Sequence, residues 1–209
     1  MAGTTKDRIL ETTAELFRRQ GFSGTGLKQI AESARAPFGS LYHHFPGGKE
    51  QLTDDVIRWS GSMYLELFQA VVAEIPDPAA GMRAFFDGAA ETLLETDYAD
   101  ACPIATVALE VASTNEVLRV ATAEVFDSWV SALITYFMAG GVTRRRAGEL
   151  AFSILSLLEG AFILCRSMRT TEPLHVAGRD ASDLVAAARP TRRKATSSSG
   201  RKRSSTSRS

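Results

Sequence analysis

The stretch Gly21 to Leu52, GFSGTGLKQIAESARAPFGSLYHHFPGGKEQL, decides the fold. Leu27, Ile30, Ala31 and Ala34 recur at three- and four-residue spacing, which predicts a helix over 27–34 with one apolar stripe. Pro37 follows closely, and proline suits the first position of a helix, where its missing N–H costs nothing. A second short helix is therefore expected from Pro37 through Gly39-Ser40-Leu41-Tyr42-His43-His44-Phe45. Pro46-Gly47-Gly48 ends it, because proline cannot continue the ladder and glycine permits the turn. Two short helices with a tight turn between them form a helix-turn-helix, the unit that places its second helix in the DNA major groove.

Upstream, Thr4 and Asp7 form an N-cap pattern for a helix carrying Ile9, Leu10, Ala14 and Phe17 on one side. Gly21 stops that helix, and Phe22 is placed to fold back on its end. Packed across the pair, this helix completes a three-helix core. Downstream, apolar periodicity predicts a long helix over 48–74, ended by Pro76 and Pro78. Further helical segments follow over 79–96, 102–111, 115–138, 143–169 and 173–188, the last weakened by Gly178. No period-2 pattern appears, so the chain reads as all-α. The division expected is a helix-turn-helix head over 1–50, a larger helical body over 51–189 and a tail over 190–209.

The chain has 209 residues and zero net charge, but the charge is unevenly distributed. Residues 1–50 hold seven Lys/Arg against five Asp/Glu, and residues 51–189 hold ten against nineteen. The tail holds seven Lys/Arg and no acid. A basic head, an acidic body and a basic tail fit a chain whose ends meet a polyanion. The tail, rich in Ser, Arg and Lys, cannot bury enough surface to order itself. It is either only solvated or a source of sequence-independent DNA affinity. No 18-residue apolar run and no signal-peptide core are present, so the cytoplasm is the expected compartment and no membrane partner is expected. Cys102 and Cys165 read as small buried hydrophobes. Neither a metal nor a cofactor is expected, since adjacent His43 and His44 diverge on a helix without a third ligand. No nucleophile elbow or acid–base constellation appears, and the expected function is not enzymatic.

The residues Ile9-Leu10, Ala14, Leu16-Phe17, Gly21-Phe22, Thr25, Ile30-Ala31, Ala34, Gly39 to Phe45 and Lys49 to Leu52 resemble the TetR family of bacterial transcriptional repressors. The variants Gly24 to Leu27, Ala36-Pro37 and His44 to Glu50 are similar to its LmrA/YxaF subgroup. So are Cys102-Pro103-Ile104 to Glu110 and Leu158-Glu159-Gly160 to Leu174. Arg35 stands where many members have glycine, Pro37 where they have Ser or Thr, and Phe38 where a polar or basic residue is common. An aromatic at 38 favours contact with a thymine methyl over hydrogen-bond donation.

By position, Pro37, Phe38 and Ser40 should approach base edges, with Gly39 letting the backbone come close. Tyr42, His43 and His44 should offer donors to phosphate or base edges. Thr25 and Lys28 should anchor the first short helix on the DNA backbone, and Lys49 should favour a phosphate at the start of the long helix. Leu41 and Phe45 read as core.

The resemblance implies a homodimer that binds a palindromic double-stranded operator and is released by a small apolar or amphipathic effector. A ligand cavity in the body would be lined by Met63, Phe85, Phe86, Cys102, Trp129, Leu133, Phe137, Phe152 and Phe162, each of which also reads as simple core. Glu110 or Glu159 would be a polar anchor there, or the partner of an arginine. The resemblance places the dimer interface on the last two long helices. Ser153, Ser156, Gly160 and Ala161 give small surfaces there, flanked by Leu157, Leu164 and Met168, although intramolecular packing would use the same residues. The rival expectations are an effector-independent DNA binder and a small-molecule-binding bundle with a vestigial head.

Overall fold

Thr4 caps the first helix as its sequence predicts: its hydroxyl accepts from the Asp7 N–H at 3.2 Å while the Asp7 carboxylate accepts from the Thr4 N–H at 2.9 Å. From this cap the computed structural model describes residues 4–100 and 102–189. The expected disordered tail, 190–209, lies outside the described residues. Among the described residues the chain forms helices and no strand. They are α1 (Thr5–Gln20), α2 (Leu27–Ser33), α3 (Phe38–His44), α4 (Gly48–Ala73) and α5 (Pro78–Glu95), then α6 (Pro103–Val111), α7 (Glu116–Ala139), α8 (Arg144–Met168) and α9 (Glu172–Ala188).

The apolar periodicity of the head becomes a three-helix core. Ile9, Ala14 and Phe17 of α1, Ile30 of α2, and Leu41 and Phe45 at α3 are fully buried. Burying side chains of this size contributes about 1.5–3 kcal/mol each, which holds two seven-residue helices too short to persist alone. Phe22 folds back on the end of α1, its ring 6.1 Å from that of Phe17. The turn between α2 and α3 places Arg35 in the left-handed region at φ 49°, where glycine is usual. Pro37 is the N-cap of α3, one position earlier than its preference for the first turn suggests.

The head does not end in a gap. The cluster that contains Phe17, Leu41 and Phe45 continues through Leu52, Val56 and Ile57 of α4. It then takes in Ile104, Val107 and Val111 of α6 and Leu118, Ala121 and Val125 of α7. A second cluster fills the far end, where α5 packs along α9 and α8 lies against α7 and α9. Gly178 serves this packing, since a Cβ there would sit 2.7 Å from the Phe86 Cβ. The glycine that weakens α9 as an isolated helix is what lets α5 approach it.

Candidate DNA interface and ligand cavity

α3 buries Leu41 and turns its remaining surface outward. Phe38 and Tyr42 are each 47% exposed, one turn apart, with ring centroids 5.5 Å apart in an edge-on arrangement. Pro37, Gly39 and His43 are exposed, and Ser40 and His44 are half-buried. A Cβ on Gly39 would meet nothing, so packing inside the chain does not require glycine there. Lys28 stands exposed on α2 and lies 4.0 Å from the Glu32 carboxylate.

Thr25 and Lys49 are placed otherwise than expected. Thr25 is 1% exposed; its hydroxyl donates to the Gly21 carbonyl at 2.7 Å and accepts from the Gln20 amide at 3.2 Å. It staples the α1–α2 loop from inside and has no surface to offer a phosphate. The Lys49 ammonium donates to the Phe22 carbonyl at 2.7 Å and lies 4.0 Å from the centre of the Phe22 ring. Partial burial lowers its pKa, against the pull of nearby Glu110.

Glu110, expected in the cavity, belongs to this junction instead. From α6 it accepts the N–H groups of Phe22 at 2.8 Å and Ser23 at 2.7 Å. Burial would raise its pKa, but hydrogen bonds from Ser23 and Phe22 and the Lys49 charge hold it below the usual range. Gly21 makes this approach possible: it has φ 78°, and a Cβ there would lie 2.2 Å from the Glu110 Oε1. The sequence signal for this contact was a lone acid on an otherwise apolar nine-residue helix.

A cavity of about 380 Å³ opens between α4, α5, α7 and α8. Of the residues anticipated for it, Phe85, Phe86, Cys102, Trp129, Leu133, Glu159 and Phe162 line it. Four do not. Phe137 is fully buried in the core, Phe152 is 62% exposed on the outer face of α8, Met63 lies off the lining, and Glu110 is engaged as above. Phe68, on the periodic apolar face of the long helix, also lines the cavity, as do Tyr64 and Asp100, which periodicity did not single out. Burial raises the Glu159 pKa to about 7, although the Cys102 thiol donates to its carboxylate. Cys102 is therefore more than a buried hydrophobe: it also accepts from the Ala105 N–H at 3.4 Å and caps α6. Burial and the Glu159 charge push its own pKa well up, so it stays a thiol.

α8 is the one helix among the described residues long and apolar enough to cross a membrane. Its hydropathy has two sources. One face, with Ala147, Leu150, Ala151, Ile154, Ala161 and Cys165, is buried in the chain's own core. The other presents Phe152, Ser153, Ser156, Gly160, Ile163, Leu164 and, 64% exposed, Met168. Ala161 thus faces inward rather than toward a partner, and Leu157 is half-buried against the core.

This architecture defines a helix-turn-helix DNA-binding head joined to an all-helical body. Residues 9–56 match the family model described as bacterial regulatory proteins, tetR family, and residues 78–180 match the transcriptional regulator LmrA/YxaF-like C-terminal domain. The chain is 33% identical over 172 residues to the HTH-type transcriptional regulator YxaF of Bacillus subtilis (strain 168), covering 82% of this chain and 90% of that one. It is 31% identical to the HTH-type transcriptional regulator LmrA of the same organism, covering 82% and 92%. The crystal structure of regulatory protein TetR from Rhodobacter sphaeroides superimposes with a TM-score of 0.78 over 85% of this chain and 97% of that one, at 21% identity. The chain belongs to the TetR family of transcriptional regulators.

Proposed function

We propose that this regulator is a homodimeric repressor that reads a palindromic operator through α3 and leaves it when a small, largely apolar effector fills the cavity between α4, α5, α7 and α8. The observation that carries the reading is the exposed pair Phe38 and Tyr42 on a helix whose opposite side is anchored in the core. Two aromatic side chains held rigidly in the open, with a glycine between them, suit close approach to base edges and thymine methyls. The exposed apolar strip of α8 supplies a self-complementary surface for a two-fold dimer, which would set two copies of α3 to face successive major grooves. Release requires that the effector favour the DNA-incompetent arrangement by a few kcal/mol.

Selection of bound fragments from the source genome by the purified full chain tests this reading. The expected result is a small set of palindromic sites, each bound at least about tenfold more weakly by a Phe38→Ala/Tyr42→Ala double variant, given roughly 1–3 kcal/mol per base contact. Both positions are exposed, so the variant keeps its fold. Recovery of unrelated fragments that salt disperses, or full affinity in the double variant, would remove α3 as the reading element.

A further inference from the structure

We infer that the cavity is built for a lipophilic organic cation: an aromatic or branched apolar body carrying one positive charge. The inference deepens the proposed effector site and rests on that site being a ligand cavity.

The lining is selective in charge as well as apolar. Tyr64, Phe68, Phe85, Trp129 and Phe162 present aromatic rings, and aromatic faces attract cations. Among the described residues the lining carries the carboxylates of Glu91, Glu95, Asp100 and Glu159 and no Lys, Arg or His. Glu91 and Glu95 are exposed and mark the solvent side. Asp100 and Glu159 lie deeper, and each keeps a buried carboxylate oxygen, Asp100 Oδ1 and Glu159 Oε1, that has no hydrogen-bond partner. Burying an unpaired acceptor is costly, and a positive group reaching either oxygen offsets that cost. An anionic ligand would meet four carboxylates against the nearby guanidinium of Arg18, already paired with Asp100, and a purely apolar one would leave both oxygens unsatisfied.

The titratable groups around Glu159 include two cations, and both are already committed within the chain. α1 contributes Arg18, whose Nε donates to the other Asp100 oxygen at 3.1 Å. α4 contributes Tyr64, whose pKa burial raises, and α5 contributes Glu91 and Glu95. The connection to α6 contributes Asp100 and the Cys102 thiol. Arg166 of α8 is committed to the Tyr98 and Ala99 carbonyls. Glu159 is thus the group here whose charge changes near neutral pH. A bound cation ionises it, so affinity for a permanent cation weakens about tenfold from pH 8 to pH 6.

The test uses the full-length protein without DNA and two probes of matched shape and opposite charge, tetraphenylphosphonium and tetraphenylborate. Binding is followed by calorimetry and by tryptophan fluorescence, Trp129 standing in the cavity wall and Trp59 outside it. The expected result is phosphonium binding at least about tenfold tighter than borate binding, an affinity that falls on acidification, and a loss of about tenfold with loss of the pH dependence in Glu159→Gln. Borate binding as tight as phosphonium binding, binding of neither probe, or an unchanged phosphonium affinity in Glu159→Gln overturns the inference. Repeating the titration with a DNA fragment recovered by selection separates the two readings. A phosphonium that binds selectively but leaves the DNA in place refutes effector release and leaves the charge preference standing.

Discussion

Glu110 is the most informative side chain to perturb, because its carboxylate ties α6 to the loop that positions the helix-turn-helix. Its carboxylate accepts from two successive backbone N–H groups, Phe22 at 2.8 Å and Ser23 at 2.7 Å, and faces the Lys49 ammonium that holds the Phe22 carbonyl. Hydrogen bonds to a charged acceptor contribute roughly 1.5–3 kcal/mol when buried. Ser23 is exposed and Phe22 half-buried, so water replaces part of what is lost, and Glu110→Ala should cost about 1–2 kcal/mol in all. Glu110→Gln keeps one acceptor oxygen and loses the charge, and should fall between. The assay is urea unfolding together with hydrogen exchange over 21–25. The variant should unfold at lower urea with an unchanged slope, and the Phe22 and Ser23 amides should exchange faster. Because the folded state holds the Glu110 pKa below its ordinary value of 4.5, the contribution is present above that pH and is lost as the pH falls through the folded pKa. The difference between wild type and variant should therefore shrink in acid. Equal unfolding midpoints with unchanged exchange at Phe22 and Ser23 would refute the latch.

Two further outcomes follow from local geometry. Arg35→Gly relieves a left-handed residue at φ 49° and, after the extra freedom it gives the unfolded chain, should raise stability by about 0.5–1 kcal/mol in a thermal melt; a lower melting temperature would mean that the guanidinium makes a contact worth more than the strain. Glu159 has a folded pKa of about 7 against an ordinary 4.5, so its effect on stability is most favourable below 4.5 and declines as pH rises through about 7. Without ligand, Glu159→Gln should flatten that decline, gaining about 3 kcal/mol by pH 8 relative to pH 4.5, and parallel stability profiles for variant and wild type would contradict the buried carboxyl.

The helices were legible because each one carries a sufficient local signal. Thr4 with Asp7, Gly21, the paired prolines at 76 and 78, and Gly140-Gly141 punctuate apolar runs, and the observed bounds follow them within a residue or two. α3 was legible down to its faces, since Leu41 and Phe45 recur at helical spacing with Tyr42 and His43 between them. The cavity was legible only in part. On α8 apolar residues occupy both the face packed on the core and the face left open, so periodicity cannot say that Phe152 points out while Ala161 points in. Glu110 and Glu159 look alike in sequence, each an acid in an apolar helix. What separates them is a pair of backbone N–H partners 87 and 88 positions away in one case and a buried oxygen left without a partner in the other, and neither is encoded locally. Thr25 shows the same limit, for a threonine beside a glycine loop serves equally as a phosphate anchor or an internal staple.

The distribution of cations makes the tail the sharpest remaining test of how this regulator holds DNA. In the head, Lys6 and Arg18 pair with Asp55 and Asp100, Arg19 with Glu15, and Lys49 is engaged by Phe22. Arg8 reaches the Ala34 carbonyl and the Thr5 hydroxyl, while Lys28, 4.0 Å from the Glu32 carboxylate, and Arg35 stand exposed around α2 and its turn. Each phosphate neutralised by a cation adds roughly 0.9 to the slope of log affinity against log salt, so such a head should give a shallow salt dependence by itself. Residues 190–209 hold seven Lys/Arg and no acid, more positive charge than the head offers. If the tail meets DNA, a chain ending at Arg189 should bind more weakly at low salt, with a slope flatter by about one unit for every lost phosphate contact. Its preference among sequences should not change, because counterion release does not read bases. If the slope is the same with and without the tail, the tail has no electrostatic part in binding. The affinity must then come from the head itself, from its own cations and from α3, where Phe38 and Tyr42 stand exposed.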